Sequence, residues 1–337
     1  IHVGADGLVK AEPEAGAKDI DCGGAWLSPG WTDLHVHVWH GGTDISVRAA
    51  DVGRATGVTA FVDAGSAGEG SFAGLREYVL DRCEETVRAF VNISSIGLVC
   101  CNRIPELLDA RFIDVGRTMA VIEANRDVVC GVKIRASGVI VGSWGAGPVR
   151  IAKRVAQMAG LPLMAHIGEP PPVPDEVLDV LEPGDVVTHC FNGKPGGSLT
   201  DAPAVFALAK EAAARGILMD VGHGAASFDF DAARRAIDGG LRPYSISTDL
   251  HRENIDGPVH DMATTMAKLH AVGLDFEECV AAAAARPRDF LGLEAGAAPG
   301  ARADYTVFDC VDCDLEVRDS MGKKLRLRRM FEPRVPN

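Results

Sequence analysis

The sequence lacks an apolar run of the length that a membrane span requires, and it lacks an excess of positive charge. Lysine and arginine total 34 of the 337 residues against 47 aspartates and glutamates, so the formal net charge is −13. A chain with this charge repels nucleic acid and anionic lipid, and we therefore expect neither nucleic acid nor a membrane as a partner. The first residues also lack the basic-then-apolar pattern of a signal segment.

The cysteines lack the spacing of a disulfide framework. There are nine of them, an odd number, and they are scattered along the chain. Cys310 and Cys313 form a CxxC motif, but no second motif of this kind is present to complete a zinc site. Because disulfides persist mainly in oxidising compartments, we expect reduced thiols and a cytoplasmic protein.

A glycine-rich turn after the first β-rich run is also absent, which argues against an open, doubly wound sheet. The chain instead alternates β-rich runs with Ala-rich or amphipathic helical stretches. The predicted strands cover residues 32–38, 58–65, 90–98, 129–136, 162–168, 185–191, 216–222 and 245–250. The clearest predicted helices cover residues 148–159, 202–215 and 258–272. Strands that alternate with helices over about 250 residues predict an α/β fold of the (β/α)8 TIM-barrel type.

The two ends of the chain depart from this alternation. Residues 1–28 are predicted to form short strands and turns, and the segment after Gly296 alternates like strands around a hairpin turn at 320–322. Neither end is long enough to bury a core by itself. We therefore predict a small β-sandwich domain, residues 1–28 plus 297–337, beside a barrel domain at residues 29–296.

The run WTDLHVHVWHGG places two histidines in the first predicted strand. Side chains alternate between the faces of a strand, so His35 and His37 point the same way. Two imidazoles on one face of a buried strand need a proton, a hydrogen-bond partner or a metal ion. The alternative is that both histidines are structural, and the other residues of the chain must distinguish this alternative from a metal site.

Active sites of barrels lie at the carboxyl ends of the strands. Chemistry-bearing side chains occupy these ends in five predicted strands: His35, His37, Lys133 in GVKIR, His166 in MAHIGEP, His189 in THCFNG and Asp249 in STDLH. Imidazoles and a carboxylate suit Zn²⁺, with Mn²⁺ or Fe²⁺ as alternatives. Desolvation would lower the pKa of Lys133, and its neutral amine could then take up CO₂ to form a carbamate with two oxygens that bridge two cations.

These segments, together with PGW before the first histidine, resemble the amidohydrolase superfamily in its binuclear, carbamylated-lysine subtype. The resemblance spans nearly the whole chain, and it is strongest to a dihydroorotase-like amidohydrolase/deacetylase branch that includes esterases of acetyl-(R)-mandelate. It implies that six residues bind two divalent metal ions: His35, His37 and Asp249 the more buried one, His166 and His189 the other, with carbamylated Lys133 bridging both.

The resemblance implies hydrolysis of an amide or ester bond in a small acyl substrate that bears a carboxylate, such as an N-acyl amino acid or an O-acetyl 2-hydroxy acid. Asp249 then corresponds to the family's proton shuttle, which carries a proton from the attacking water to the leaving group. A cyclic amidohydrolase of the dihydroorotase or dihydropyrimidinase type is an alternative. A metal-free scaffold protein of the same fold is an alternative from another class, against which the complete ligand set argues.

Dihydroorotases usually carry an arginine two residues after the second histidine, where this chain has Trp39. Residues two positions beyond a ligand share its strand face and lie nearer the mouth, which predicts substrate contacts for Trp39, Arg135 and His251. Arg135 is the predicted partner of a substrate carboxylate. His223 and Asn192, which follow two other predicted strands, are further candidates for substrate binding. The expected partner is a small molecule, and a homo-oligomer is compatible with the sequence.

Overall fold

The computed structural model describes residues 1–101, 103–294 and 296–334. Its strands are β1 (His2–Val3), β2 (Val9–Lys10), β3 (Trp26–Pro29), β4 (Trp31–Val36), β5 (Val58–Gly68), β6 (Thr86–Asn92), β7 (Val129–Ala136), β8 (Leu163–Ile167), β9 (Val186–Thr188), β10 (Leu218–Asp220), β11 (Tyr305–Arg318) and β12 (Lys324–Pro333). Its α-helices are α1 (Ala49–Val52), α2 (Phe72–Leu75), α3 (Val115–Ala124), α4 (Gly138–Val141), α5 (Gly147–Ala159), α6 (Pro174–Leu178), α7 (Pro203–Ala214), α8 (Phe230–Asp238), α9 (Met262–Ala271), α10 (Phe276–Ala283) and α11 (Ala285–Phe290).

Strands β4 to β10 form one seven-stranded sheet, ordered as they follow in the chain. Every pairing in it is parallel, from β4 with β5 to β9 with β10. Parallel strands need crossover connections, and the helices between the strands provide them. The strands and the three clearest helices therefore lie close to their predicted positions, which confirms the α/β class.

The predicted eighth strand, 245–250, is not a regular strand. It makes isolated parallel bridges at both edges of the sheet, Ser245 with Asp220 and Leu250 with Val36. Asp249 has a φ of 48°, and this left-handed conformation cannot continue an extended strand. The sheet is therefore curled, with this irregular segment between its two edges, and eight complete strands are not confirmed.

Two apolar layers hold the sheet in place. A small buried cluster fills its concave side: Leu34, Val62, Ala64, Phe90, Met164 and Val186. Neighbouring residues in the same strands, such as Phe61 and Val91, belong to the larger core between the sheet and the helices. This alternation follows from the two-residue period of a strand, and it directs the polar strand residues of the inner face toward one end of the sheet.

The helix ends follow their sequence signals. Helix α5 has a proline in its first turn and ends at Gly160, whose φ of 65° is the left-handed conformation that glycine tolerates. Among the described residues, no helix has both the length and the apolar character that crossing a bilayer demands.

The ends of the chain meet in antiparallel sheets. Strand β3 pairs with β11, and β11 pairs with β12, so that an N-terminal strand and the C-terminal hairpin share one sheet. Strands β1 and β2 form a separate pair of two residues each. The predicted hairpin turn is confirmed, because the Asp319 amide donates to the Lys323 carbonyl at 3.0 Å. A two-layered sandwich is not confirmed, since these separate sheets do not establish one.

Candidate active site

Six of the predicted residues converge at the carboxyl ends of the parallel strands. His35, Lys133 and His166 lie within β4, β7 and β8, and His37 and His189 lie just beyond the ends of β4 and β9. Asp249 lies in the irregular segment 245–250. Asp249 Oδ1 is 3.3 Å from His35 Nε2 and 3.2 Å from His37 Nε2. Asp249 therefore stands between the two histidines of the first parallel strand, which the sequence separates from it by more than 200 residues.

A hydroxyl relay orients His35. Thr188 Oγ1 donates to Asp220 Oδ2 at 2.7 Å, which uses its single hydrogen. His35 Nδ1 lies 2.8 Å from Thr188 Oγ1, which has no hydrogen left to donate. His35 Nδ1 must therefore donate, and His35 Nε2 must carry the lone pair. Asp220 is buried and also accepts hydrogen bonds from Ser245 and Ser247, so the relay is held from three sides.

The other histidines are oriented in comparable ways. His37 Nδ1 lies 2.9 Å from Ser66 Oγ, and His189 Nδ1 donates to the Gly222 carbonyl at 2.6 Å. His189 Nε2 is 2.8 Å from His166 Nδ1, which places these two imidazoles edge to face. His189 has a φ of 69°, a conformation that non-glycine residues rarely adopt and that is common at functional sites.

Lys133 is almost completely buried beneath these residues. Its Nζ lies 3.2 Å from His35 Nε2 and 3.2 Å from Met164 Sδ, and no carboxylate of the described chain pairs with it directly. Burial lowers the pKa of Lys133 to about 7 because the charged amine loses its hydration. Burial therefore favours the neutral, nucleophilic form of this amine.

This arrangement fits a divalent metal ion. Ligand atoms of His35, His189 and Asp249 lie within 4.8 Å of one another. Burial lowers the pKa values of His35, His166 and His189 below the usual imidazole value, so these rings are neutral and present lone pairs. Neutral imidazoles held by a hydrogen bond at the opposite nitrogen, next to a carboxylate, are the donor set typical of zinc and its neighbours.

A cavity of about 230 Å³ opens above this cluster. Its lining includes the apolar residues Ile45, Val139 and Ile140 as well as charged side chains. The volume suits a small molecule rather than a polymer. His35, His37, His166 and Asp249 form part of the lining, so a bound molecule would touch the cluster directly.

Two predicted substrate-binding residues line this cavity. Arg135 lies in β7 two positions after Lys133, and it pairs with Glu106 through two hydrogen bonds. His251 follows Asp249, and its Nδ1 accepts a hydrogen bond from the Glu253 amide at 3.3 Å. Burial lowers the pKa of His251, so the ring is a neutral polar group in the wall of the cavity.

Three predicted substrate-binding residues lie elsewhere. Trp39 is nearly buried in the main core, because the chain turns after β4 and the strand alternation no longer applies. Asn192 Nδ2 donates to the carbonyls of His189 and Gly197, so this amide braces its own loop. His223 is directed away from the cavity toward Lys268, whose Nζ lies 3.0 Å from His223 Nε2. None of these side chains lines the cavity.

The sequence analysis missed charged residues that line the cavity, Glu169 and Lys194 above all. Glu169 occurs within MAHIGEP, three residues after His166, and Lys194 directly follows THCFNG, five residues after His189. Substrate-binding residues are common in the loops that directly follow the strands of a barrel. The position of Glu169 and Lys194 in such loops was therefore the signal by which the sequence could have indicated them.

Comparisons with known proteins extend over nearly the whole chain. No family model matches the sequence. A deacetylase of Brucella anthropi is 50% identical over 341 residues, which covers 99% of this chain and 85% of the relative. A deacetylase of Agrobacterium fabrum is 51% identical, with 99% and 84% covered. A crystal structure of a dihydroorotase matches with a TM-score of 0.94 at 50% identity and covers 98% of this chain and 88% of that chain.

Proposed function

The chain belongs to the amidohydrolase superfamily, in its dihydroorotase-like branch, and from that premise we propose that it hydrolyses an amide or ester bond of a small acyl substrate that bears a carboxylate. N-acyl amino acids and O-acetyl 2-hydroxy acids are the substrate types that we favour. The observation that carries the proposal is the convergence of four histidines, Lys133 and Asp249 at the floor of a cavity of about 230 Å³.

Six residues would hold two divalent cations: His35, His37 and Asp249 one of them, His166 and His189 the other, and Lys133 both. The lone pairs of the oriented imidazoles support this assignment, and Zn²⁺ suits the donor set best, with Mn²⁺ or Fe²⁺ as alternatives. When bound, such cations polarise the carbonyl of the substrate and activate water at neutral pH.

Lys133 would take part as a carbamate. The neutral amine nitrogen bonds to the carbon of CO₂ and releases one proton to solvent, which leaves a carbamate with two oxygen donors. The burial of Lys133 supports this step, since the pKa of about 7 provides the neutral amine that the addition needs. An ammonium group beside His35 would instead repel cations.

Asp249 is suited to move the proton. It is the carboxylate among the cluster's side chains, its Oδ1 touches both His35 and His37, and its side chain is 14% exposed to the cavity. It would accept a proton from the attacking water and deliver it to the nitrogen or oxygen of the leaving group. Gly224, in the loop after β10, packs closely against this carboxylate, because a methyl group at this position would lie 2.5 Å from Asp249 Oδ2.

A cyclic amidohydrolase activity is the second candidate, and the similarity to a solved dihydroorotase favours it. Against it stands the residue two positions after His37, which is Trp39 in the core rather than an arginine in the cavity. The similarity to named deacetylases favours linear acyl substrates instead.

The test combines metal analysis with a substrate screen. We expect purified protein to contain close to two divalent cations per chain and to hydrolyse N-acyl amino acids or O-acetyl 2-hydroxy acids. Chelation should abolish this activity, and zinc or manganese should restore it. Full activity after thorough chelation would overturn the mechanism, and efficient hydrolysis of dihydroorotate without acyl hydrolysis would favour the cyclic substrate.

A further inference from the structure

Two cationic side chains line the cavity beside the histidine cluster, and their ion pairs differ. Arg135 Nε and Nη2 lie 2.7 Å and 2.9 Å from the two carboxylate oxygens of Glu106, which is 1% exposed. This pair is bidentate, and its carboxylate is buried although the Arg135 side chain is 17% exposed. Bringing a substrate carboxylate to Arg135 would add a second negative charge beside a buried one, which a low-dielectric site disfavours.

Lys194 has a more accessible partner. Its Nζ lies 2.8 Å from Glu169 Oε1, and the side chains are 13% and 42% exposed respectively. Ser137 Oγ donates to Glu169 Oε2 at 2.5 Å from a nearly buried position. An ion pair with one half-exposed member is weakened by water, so the carboxylate of Glu169 can be exchanged for another at little cost in free energy.

The Lys194 ammonium also stands close to the cluster. A methyl group placed on Gly168 would lie 3.2 Å from Ser137 Oγ, 3.3 Å from His166 Nε2 and 3.4 Å from Lys194 Nζ. These three polar groups therefore surround the Cβ position of Gly168, where even a methyl group would be a tight fit. A substrate carboxylate that takes the place of the Glu169 carboxylate would meet the Lys194 cation and the Ser137 hydroxyl near a site histidine.

We propose that Lys194 binds the substrate carboxylate, with Ser137 as a second donor, and that Glu169 occupies this position in the free enzyme until substrate displaces it. The inference rests on the proposed function and names the group that recognises its substrate. Arg135 then has a different role: it stays paired with Glu106 and shapes the wall. Exchange of one carboxylate for another leaves no buried charge without a partner.

The test measures binding by calorimetry in the metal-loaded full chain, with mandelate and its neutral amide mandelamide as a matched pair of probes. Replacing Lys194→Met should raise the Kd of mandelate by about 10- to 100-fold, the effect of one lost charge-assisted hydrogen bond. The Kd of mandelamide should stay within about twofold, because an amide makes no ion pair. Lys194→Arg, which keeps the charge, should retain most of the affinity.

Glu169→Gln gives the opposite expectation. The amide can still accept from Ser137, but it no longer competes for Lys194, so mandelate should bind about two- to fivefold more tightly. Lys210→Met, on the exposed surface of α7, makes the same change in net charge as Lys194→Met and serves as the control. It should leave both dissociation constants unchanged.

The proposal is overturned if Arg135→Met weakens mandelate selectively while Lys194→Met does not. Equal weakening of mandelate and mandelamide by Lys194→Met would also overturn it, since that result indicates a structural role. Equal affinity of the wild-type protein for both probes, or no binding of mandelate, would contradict it as well. Failure of the proposed function looks different, because calorimetry detects the carboxylate preference even if no acyl substrate is hydrolysed.

Discussion

The floor of the cavity and its rim are built from different parts of the chain. The floor consists of His35, His37, Lys133, His166, His189 and Asp249, which lie in or directly after parallel strands or, for Asp249, in the irregular segment 245–250. Hydrogen bonds orient three of its histidines, His35, His37 and His189. The rim is formed mainly by loops, and its ion pairs differ in their carboxylates: Arg135 pairs with the buried Glu106, whereas Lys194 pairs with the partly exposed Glu169. A rigid floor suits chemistry that is shared across a superfamily, whereas an adjustable rim suits substrate choice.

The largest effect that would test the role of the floor is expected from Asp249→Asn. The amide keeps the shape of the side chain but cannot carry the proton, so kcat/KM should fall by about 10²- to 10⁴-fold. Steady-state kinetics on an N-acyl or O-acetyl substrate would measure the loss. Asp238→Asn, an exposed residue at the end of α8, is the control and should behave like the wild type. An Asp249→Asn variant with more than a tenth of wild-type activity would rule out the proton-shuttle role.

The next effect concerns Lys133, the most deeply buried charged residue of the floor. Lys133→Ala should lower kcat/KM by at least about 100-fold, because it removes a ligand of both cations, whereas the loss of an outer partner alone costs about 10- to 100-fold. A short-chain carboxylate such as propionate, added together with metal, should restore part of the rate because it supplies the two missing oxygens. No loss of metal and no rescue, with the fold intact by circular dichroism, would count against the carbamate.

The sequence predicts the residues of this floor well because the two-residue period of a strand determines which side chains share a face. In β7, Lys133 and Arg135 are two residues apart, and both side chains lie on the predicted face of the strand. The period fails after β4, where the chain turns and takes Trp39 into the core. It also gives no information on loops, which is why Asn192 was predicted in the cavity and Lys194 was not. Loop conformation depends on tertiary contacts that a single strand pattern does not contain.

The same limit applies to residues beneath the floor. Nothing in a local pattern pairs Thr188 with Asp220 and His35, because the three lie on different strands. The irregular segment 245–250 is a further example. Its strand-like composition predicted a regular strand, but Ser245 and Ser247 donate their hydroxyls to Asp220, and Asp249 is in a left-handed conformation. Neither feature can be read from the alternation of polar and apolar residues on which the strand prediction rests.

The relay below His35 gives an intermediate prediction. Thr188→Val removes the hydroxyl and leaves the shape, so His35 loses the acceptor that fixes its Nδ1 hydrogen. Metal affinity, measured by competition with a chromogenic chelator, should fall by about 10- to 100-fold. Thr118→Val is the matched control, because Thr118 is equally buried but its hydroxyl donates to the Asp114 carbonyl, far from the site. Equal metal affinity in both variants would mean that the relay does not orient the histidine.

The smallest catalytic effect is expected at Trp39, where the sequence predicted a substrate contact and the structure gives a core position. Its ring packs so closely that a methyl group on Gly74 would lie 3.2 Å from Trp39 Cζ2. Trp39→Phe should therefore leave kcat/KM within about twofold for aromatic and aliphatic acyl substrates alike, since no wall of the cavity is altered. The loss should appear in stability instead, and Trp39→Ala should lower the free energy of unfolding by about 3–5 kcal/mol, as truncation of a buried aromatic does. Kinetics on the two substrate types and denaturant unfolding would measure these effects. If Trp39→Phe selectively lost activity on phenyl-bearing substrates, Trp39 would contact the substrate after all. The alternation of β4 would then extend two residues past His37, as the sequence predicted.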